Sequence, residues 1–189
     1  IIISLTFSFI SCIKKDHDSL LVPSVFSDHM VLQQQVDVPF WGTSKANQEV
    51  TVSGSWGVSA TSKANEKGQW DLSLSTPIAG GPYLVTIKSH DEELKFKNVL
   101  IGEVWLTFGK SNMEYKLDHC LECVDNQKAE IASASCPDNR MFTVPMDLSE
   151  EAIENESWLI TNPKNVKGFS AVAYFFVRSL HEKLKVPIG

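Results

Sequence analysis

From Val22 to Lys97 apolar and polar residues alternate in short runs. Val36-Asp37-Val38-Pro39-Phe40-Trp41 alternates, as do Glu49-Val50-Thr51-Val52-Ser53 and Trp70-Asp71-Leu72-Ser73-Leu74, and Tyr83-Leu84-Val85-Thr86-Ile87 is strand-like. A period of two sends successive side chains to opposite faces, the mark of strands with one face in a core. Turn residues separate the runs: Gly42-Thr43-Ser44, Glu66-Lys67-Gly68-Gln69, Pro77 to Pro82 and Ser89-His90-Asp91. Short strands with turns at about ten-residue spacing predict a small antiparallel β-sandwich over 22–97.

After Asn98 the period changes. Asn98-Val99-Leu100-Ile101-Gly102-Glu103-Val104-Trp105-Leu106-Thr107 reads as a buried strand, 127–133 as a helix, and Arg140 to Val144 as a short strand. Ser170 is placed to cap a second helix. Its apolar stripe is Val172, Phe176, Leu180 and Leu184, with Ala173 and Val177 beside it, and Pro187 and Gly189 end it. Strand, helix, strand, helix opens a parallel α/β layer whose next strand is expected at about Ile188. The predicted fold class is therefore mixed, an all-β sandwich followed over 98–189 by the first part of an α/β domain.

The chain has 189 residues, 43% of them hydrophobic, enough for one full core and part of another. A net charge of -6, scattered and not blocked, argues against the nucleic-acid binding that a basic stripe would signal. Residues 1–12 differ from the rest. Ile1 to Ile10 carry no charge, Ser11-Cys12 ends the run, and a polar linker occupies 13–21. A run this short fits a signal-peptide core and falls short of a membrane span, which needs about 20 residues. It resembles a bacterial lipoprotein signal with Cys12 as the lipidated residue; a plain secretory signal or a buried strand are the alternatives. The expectation is an extracytoplasmic protein, periplasmic or on the outer membrane, that meets the membrane only through a lipid anchor. The absence of an initiator Met suggests a sequence truncated at its front.

Cys120 and Cys123 have the spacing of metal ligands, but a structural zinc site wants a second pair, and only Cys136 and His119 are at hand. In an exported protein one disulfide among Cys120, Cys123 and Cys136 is favoured, with an odd thiol left over. No metal and no cofactor are expected. Trp41, Trp56 and Trp70 could form a sugar-stacking platform; packing within the sheets is the favoured reading.

Candidate chemistry is concentrated in Gly109-Lys110-Ser111-Asn112-Met113-Glu114, just after the apolar run. A serine at a strand tip, where a polar helix begins, is where a hydrolase mounts its nucleophile. Such a serine needs a base, most often a histidine held by a carboxylate. None of His17, His29, His90, His119 and His181 follows an aspartate by three residues, and none is expected to serve Ser111. A phosphate loop is rejected, because it needs glycine at the position of Val104.

Four segments, 22–33, 99–106, 109–114 and 169–176, resemble in order the bacterial sialate O-acetylesterases of the SGNH hydrolase superfamily. The resemblance implies a flavodoxin-like parallel α/β domain after the sandwich. It implies Ser111 as the nucleophile that attacks an acetyl carbonyl, with the Ser111 backbone N–H as one oxyanion donor. The implied substrate is O-acetylated sialic acid or a related acetylated sugar. Lys110 replaces the family's glutamine and sets a cation beside the serine, and Phe108, bulkier than is usual there, is expected to narrow the crevice. The family's second oxyanion glycine, its oxyanion asparagine and its late Asp-x-x-His have no counterpart before Gly189, so this chain alone is expected to be essentially inactive. The competing reading is a non-catalytic sugar-binding or scaffold module.

Overall fold

The computed structural model describes residues 19–120, 123–144 and 156–189. Cys12, its apolar run and the 13–18 part of the linker lie outside the described residues. Seven strands come first: β1 (Val31–Gln33), β2 (Asp37–Thr43), β3 (Glu49–Gly54), β4 (Val58–Lys63), β5 (Gln69–Ser75), β6 (Gly80–Ser89) and β7 (Glu92–Gly102). The alternation decides what each buries. β3 turns Val50 and Val52 inward, and β5 turns Trp70 and Leu74 inward while Asp71 and Ser73 face water.

Five strands form a curled sheet in the order β1-β7-β6-β3-β4, antiparallel except for the parallel β1–β7 pair. β2 and β5 make a separate antiparallel ladder, with Phe40 opposite Leu72 and Gly42 opposite Trp70. Phe40, Trp70 and Leu74 of the ladder share one buried cluster with Val50, Val52, Val85, Ile87, Val99 and Ile101 of the sheet. Trp70 is buried in this core, and Trp56 covers Gly54 while donating its indole N–H to Ser75 O at 2.9 Å. Trp41 remains 44% exposed, its ring edge-on to Phe26.

The strand expected over 98–107 as the first of a new layer is instead the end of β7. Val99 pairs with Tyr83 of β6, and Leu100 with Val31 of β1. An apolar run records burial on both faces, not which strands provide it. The parallel layer starts one residue later. Glu103 and Asn139 both bridge Ile188 in parallel, and Ile188, fully buried, donates to Asp138 O while Arg140 donates to Ile188 O. The strand expected at Ile188 thus lies between 103–105 and 138–140. Gly102 permits its close approach, since a Cβ there would stand 2.0 Å from Pro187 O.

The remaining elements are α1 (Ser111–Glu114), α2 (Gln127–Ser133), β8 (Cys136–Met141), β9 (Leu159–Thr161), a 3-10 turn (Val166–Gly168) and α3 (Ala171–Leu184). The whole is a mixed α/β architecture with a curled sheet. β8 begins and ends earlier than the strand expected at 140–144. Ser170 caps α3 as expected, its Oγ accepting Ala173 N–H at 3.4 Å. The helix stops at Lys185, left-handed at φ 57°, before Pro187 is reached. The expected apolar stripe is buried only along one side. Ala173 and Val177 are buried together with Ala171 and Tyr174, Leu180 is half-buried, and Val172, Phe176 and Leu184 are exposed. Small alanines let α3 sit close on a second core made by Leu117, Ala134, Val166, Ala171 and Tyr174.

Two polar ties hold residues of the second half of the chain to the first core, of which Trp158 is itself a member. The Trp158 indole donates to Val25 O at 2.8 Å. Arg140, 3% exposed, donates through Nε to Pro137 O at 2.6 Å, and its other nitrogens reach His29 O and Asn98 Oδ1 at 3.4 Å. Burial pulls the Arg140 guanidinium below its ordinary pKa, and neighbouring Asp138 opposes this.

Cys120 and Cys123 form a disulfide and Cys136 is the odd thiol. Burial pushes the Cys136 thiol above its ordinary pKa, only partly offset by backbone hydrogen bonds at Asp138 and Asn139. The thiolate is the reactive form. Cys136 is therefore expected to alkylate with iodoacetamide at pH 8 more slowly than a free cysteine peptide, and equal rates would refute its burial. Among the described residues no cluster of His, Cys, Asp or Glu is arranged to hold a metal ion.

Candidate active site

Ser111 is the first residue of α1 and is exposed. Lys110 turns the chain into the helix, and its carbonyl accepts Met113 N–H at 2.8 Å. Gly109 lets the Met113 side chain lie against that turn: a Cβ there would stand 2.6 Å from Met113 Cγ and push the side chain aside. At the start of a helix the backbone N–H groups have no partner within it. The Ser111 N–H makes no hydrogen bond among the described residues, so it is free to donate to a ligand oxygen.

The serine is not at a strand tip. Regular pairing ends at Gly102, the last ladder-like bond runs from Trp105 N–H to Gly189 O at 2.9 Å, and residues 106–110 cross to α1 without regular structure. Phe108, expected to narrow a crevice, is 86% exposed, and Leu106 is 81% exposed. Trp105 leans edge-on against Phe176 of α3, so an open apolar surface lies beside the serine segment.

No described histidine bonds to Ser111. His29 pairs through Nδ1 with the Asn98 amide at 2.9 Å, and His90 meets Asp91 at 2.7 Å in the β6–β7 turn. His119 lies beyond the end of α1 with its ring on Tyr115, and His181 Nδ1 contacts Val186 O at 2.8 Å. His17 lies outside the described residues. The arrangement therefore presents a nucleophile candidate and one oxyanion donor candidate, with no base from the described residues.

What sequence reasoning missed is the bracing of this segment. Glu103 takes Gln33 Nε2 at 3.2 Å and Gln34 Nε2 at 2.7 Å on its two carboxylate oxygens. Gln33 in turn accepts Val104 N–H at 2.9 Å, and Gln34 accepts Ala79 N–H at 2.8 Å. The departure of the chain toward Ser111 is thus fixed to β1 and the loop before β6. A carboxylate within the apolar 99–106 run was the available signal. On the far side of α1, Leu117 is fully buried and its N–H donates to Phe169 O at 3.0 Å, while Tyr115 O accepts Ala171 N–H at 2.8 Å.

No family model matches the chain. Sialate O-acetylesterase from Rattus norvegicus is 28% identical over 186 residues, which cover 88% of this chain and 34% of that protein. The Homo sapiens sialate O-acetylesterase is 27% identical over 186 residues, with 88% and 35% covered. A crystal structure of a carbohydrate acetylesterase from Xanthomonas citri matches at a TM-score of 0.82 and 35% sequence identity, over 90% of this chain and 39% of that one. The chain is a distant homologue of these acetylesterases.

It spans about a third of the length of the curated sialate O-acetylesterases it matches.

Proposed function

We propose that this chain is part of a carbohydrate O-acetylesterase of SGNH type that removes acetyl groups from sialic acid or a related sugar, with Ser111 as nucleophile. The observation that carries the reading is the Gly109–Met113 turn, which leaves both Ser111 Oγ and its backbone N–H open to a ligand in a homologue of acetylesterases. Ser111 Oγ attacks the acetyl carbonyl, its proton passes to a base, and the carbonyl oxygen gains negative charge. The Ser111 N–H is the donor on hand for that charge; such donors are each worth about 10²–10³ in rate. The sugar hydroxyl leaves with a proton, and water hydrolyses the acetyl-serine. Because each described histidine is held elsewhere, the 1–189 polypeptide alone is expected to turn over hardly at all. The test is acetate release from O-acetylated sialic acid and from acetylated neutral sugars by the longest product of the reading frame that encodes this chain. Release from sialate esters supports the reading. Sugar binding with no acetate release favours the non-catalytic module.

We also propose that Cys12 carries a lipid anchor and that the protein works outside the cytoplasm, from the apolar run before it. A single acyl chain binds membranes only marginally, whereas several hold firmly. Expressed from its native reading frame, the protein is expected to partition into detergent and Cys12→Ser to remain in the aqueous phase. Equal partition of the two counts against lipidation.

A further inference from the structure

The segment that follows the serine helix is held by the Cys120–Cys123 disulfide. Tyr115, the residue that ends α1, has its hydroxyl 2.9 Å from Cys120 Sγ, and the His119 ring lies 4.7 Å from the Tyr115 ring. Gln127, at the start of α2, donates its side-chain amide to Leu117 O at 2.7 Å and to Cys120 O at 2.9 Å, so one buried group ties both ends of the 117–120 turn. Leu117 and Tyr115 are then paired to the strand-like entry of α3 through Phe169 O and Ala171 N–H. From Ser111 to the disulfide the chain is tied at Tyr115, Leu117 and Cys120. α1 is four residues long, Tyr115 is its cap, and Tyr115 rests on the sulfur.

We propose that the Cys120–Cys123 disulfide is a redox-sensitive clamp on the Ser111 segment, opened by a dithiol reductant. A reductant thiolate attacks one of the two sulfurs and forms a mixed disulfide. The second reductant thiolate resolves it, so the reductant leaves as its own disulfide and Cys120 and Cys123 become thiols. Two electrons and two protons pass to the protein. Opening this ring restores chain freedom to the turn and removes the fixed sulfur that Tyr115 leans on. The Leu117 and Ala171 amides should then open by a local route, while the β core, whose buried cluster includes neither cysteine, stays closed. The functional consequence rests on the reading of Ser111 as nucleophile; the clamp itself does not.

The experiment compares the 1–189 protein oxidised and after dithiothreitol, with two additional thiols counted by alkylation to confirm reduction. Hydrogen exchange at the Leu117 and Ala171 amides is expected to speed by about tenfold or more, with Val52 and Ile87 unchanged. The Cys120→Ser, Cys123→Ser double variant should exchange fast at both amides and ignore dithiothreitol. Tyr115→Phe, with the disulfide intact, should reproduce part of the effect and covers the case in which the double variant fails to fold. Reduction with unchanged exchange at these amides overturns the clamp. So does equal acceleration in the β core, which would make the disulfide a global staple. In the longest product of the reading frame, fluorophosphonate labelling of Ser111 should slow on reduction by about the same factor. No labelling in either state removes the esterase reading and leaves the amide result to decide the clamp.

Discussion

Ser111→Ala in the longest product of the reading frame is expected to lose at least about 10³ of kcat/KM on small aryl acetates. The loss should fall on kcat, because the hydroxyl forms the bond that is broken later in turnover and contributes little to holding substrate. Ser111 is exposed, and its side chain makes no hydrogen bond among the described residues. The variant should therefore unfold at the same denaturant concentration as the parent, which separates lost chemistry from lost structure. Lys110→Gln, one residue away, should keep most of the turnover. An alanine variant with near-parental turnover sinks the assignment.

Phe40→Ala is expected to destabilise the β core by about 3–5 kcal/mol, the range for truncating a buried aromatic ring. Phe40 is fully buried and stacks on Phe26 with ring centres 4.7 Å apart. It also sits in β2, whose ladder pairs only with β5 among the described strands, so little backbone pairing is available to hold the layer once the ring is gone. Phe108→Ser removes a ring of the same size that is 86% exposed, and its effect should stay within about 0.5 kcal/mol. Urea unfolding followed by tryptophan fluorescence reads both. A cost below about 1 kcal/mol for Phe40→Ala would mean that β2 and β5 do not close the core.

Local signals were readable wherever a short stretch decides its own structure. The period-two runs mark β2, β3, β5 and β6, helix α2 occupies the expected residues, and Ser170 caps α3. Signals that depend on distant partners were not. The apolar run Val99–Ile101 is buried by β1 and β6, strands more than ten residues away in sequence, and nothing in the run distinguishes them from strands of a new layer. On α3, hydrophobicity alone selects Val172, Phe176, Leu180 and Leu184 with Ala173 and Val177; of these only the two last are buried, and Ala171 and Tyr174 are what pack with Leu117 and Val166. Arg140 would be read as a surface residue, yet carbonyls of Pro137 and His29 and the Asn98 side chain receive it in the interior. The serine turn was legible because Gly109 and Met113 make it locally. Its setting was not, since the crossing from Gly102 to α1 is fixed by glutamines seventy residues earlier in sequence.

The position of Ile188 between Glu103 and Asn139 has a consequence for how the protein is made. In chain order the three segments are synthesised as 103–105, 138–140 and 187–189, but in space the last of them is the middle one. The two earlier segments cannot pair with each other across the gap it will fill. During synthesis the strands of the β core can pair as soon as β7 has emerged, with Trp158 added to that core later, while the parallel layer must wait, open, until its central strand is delivered. Throughout that interval the edges at 103–105 and 138–140 are unpaired strand edges, the feature most prone to join the wrong neighbour. Early chaperone contact with a nascent chain should accordingly map to these edges, and should end when residues 187–189 leave the ribosome.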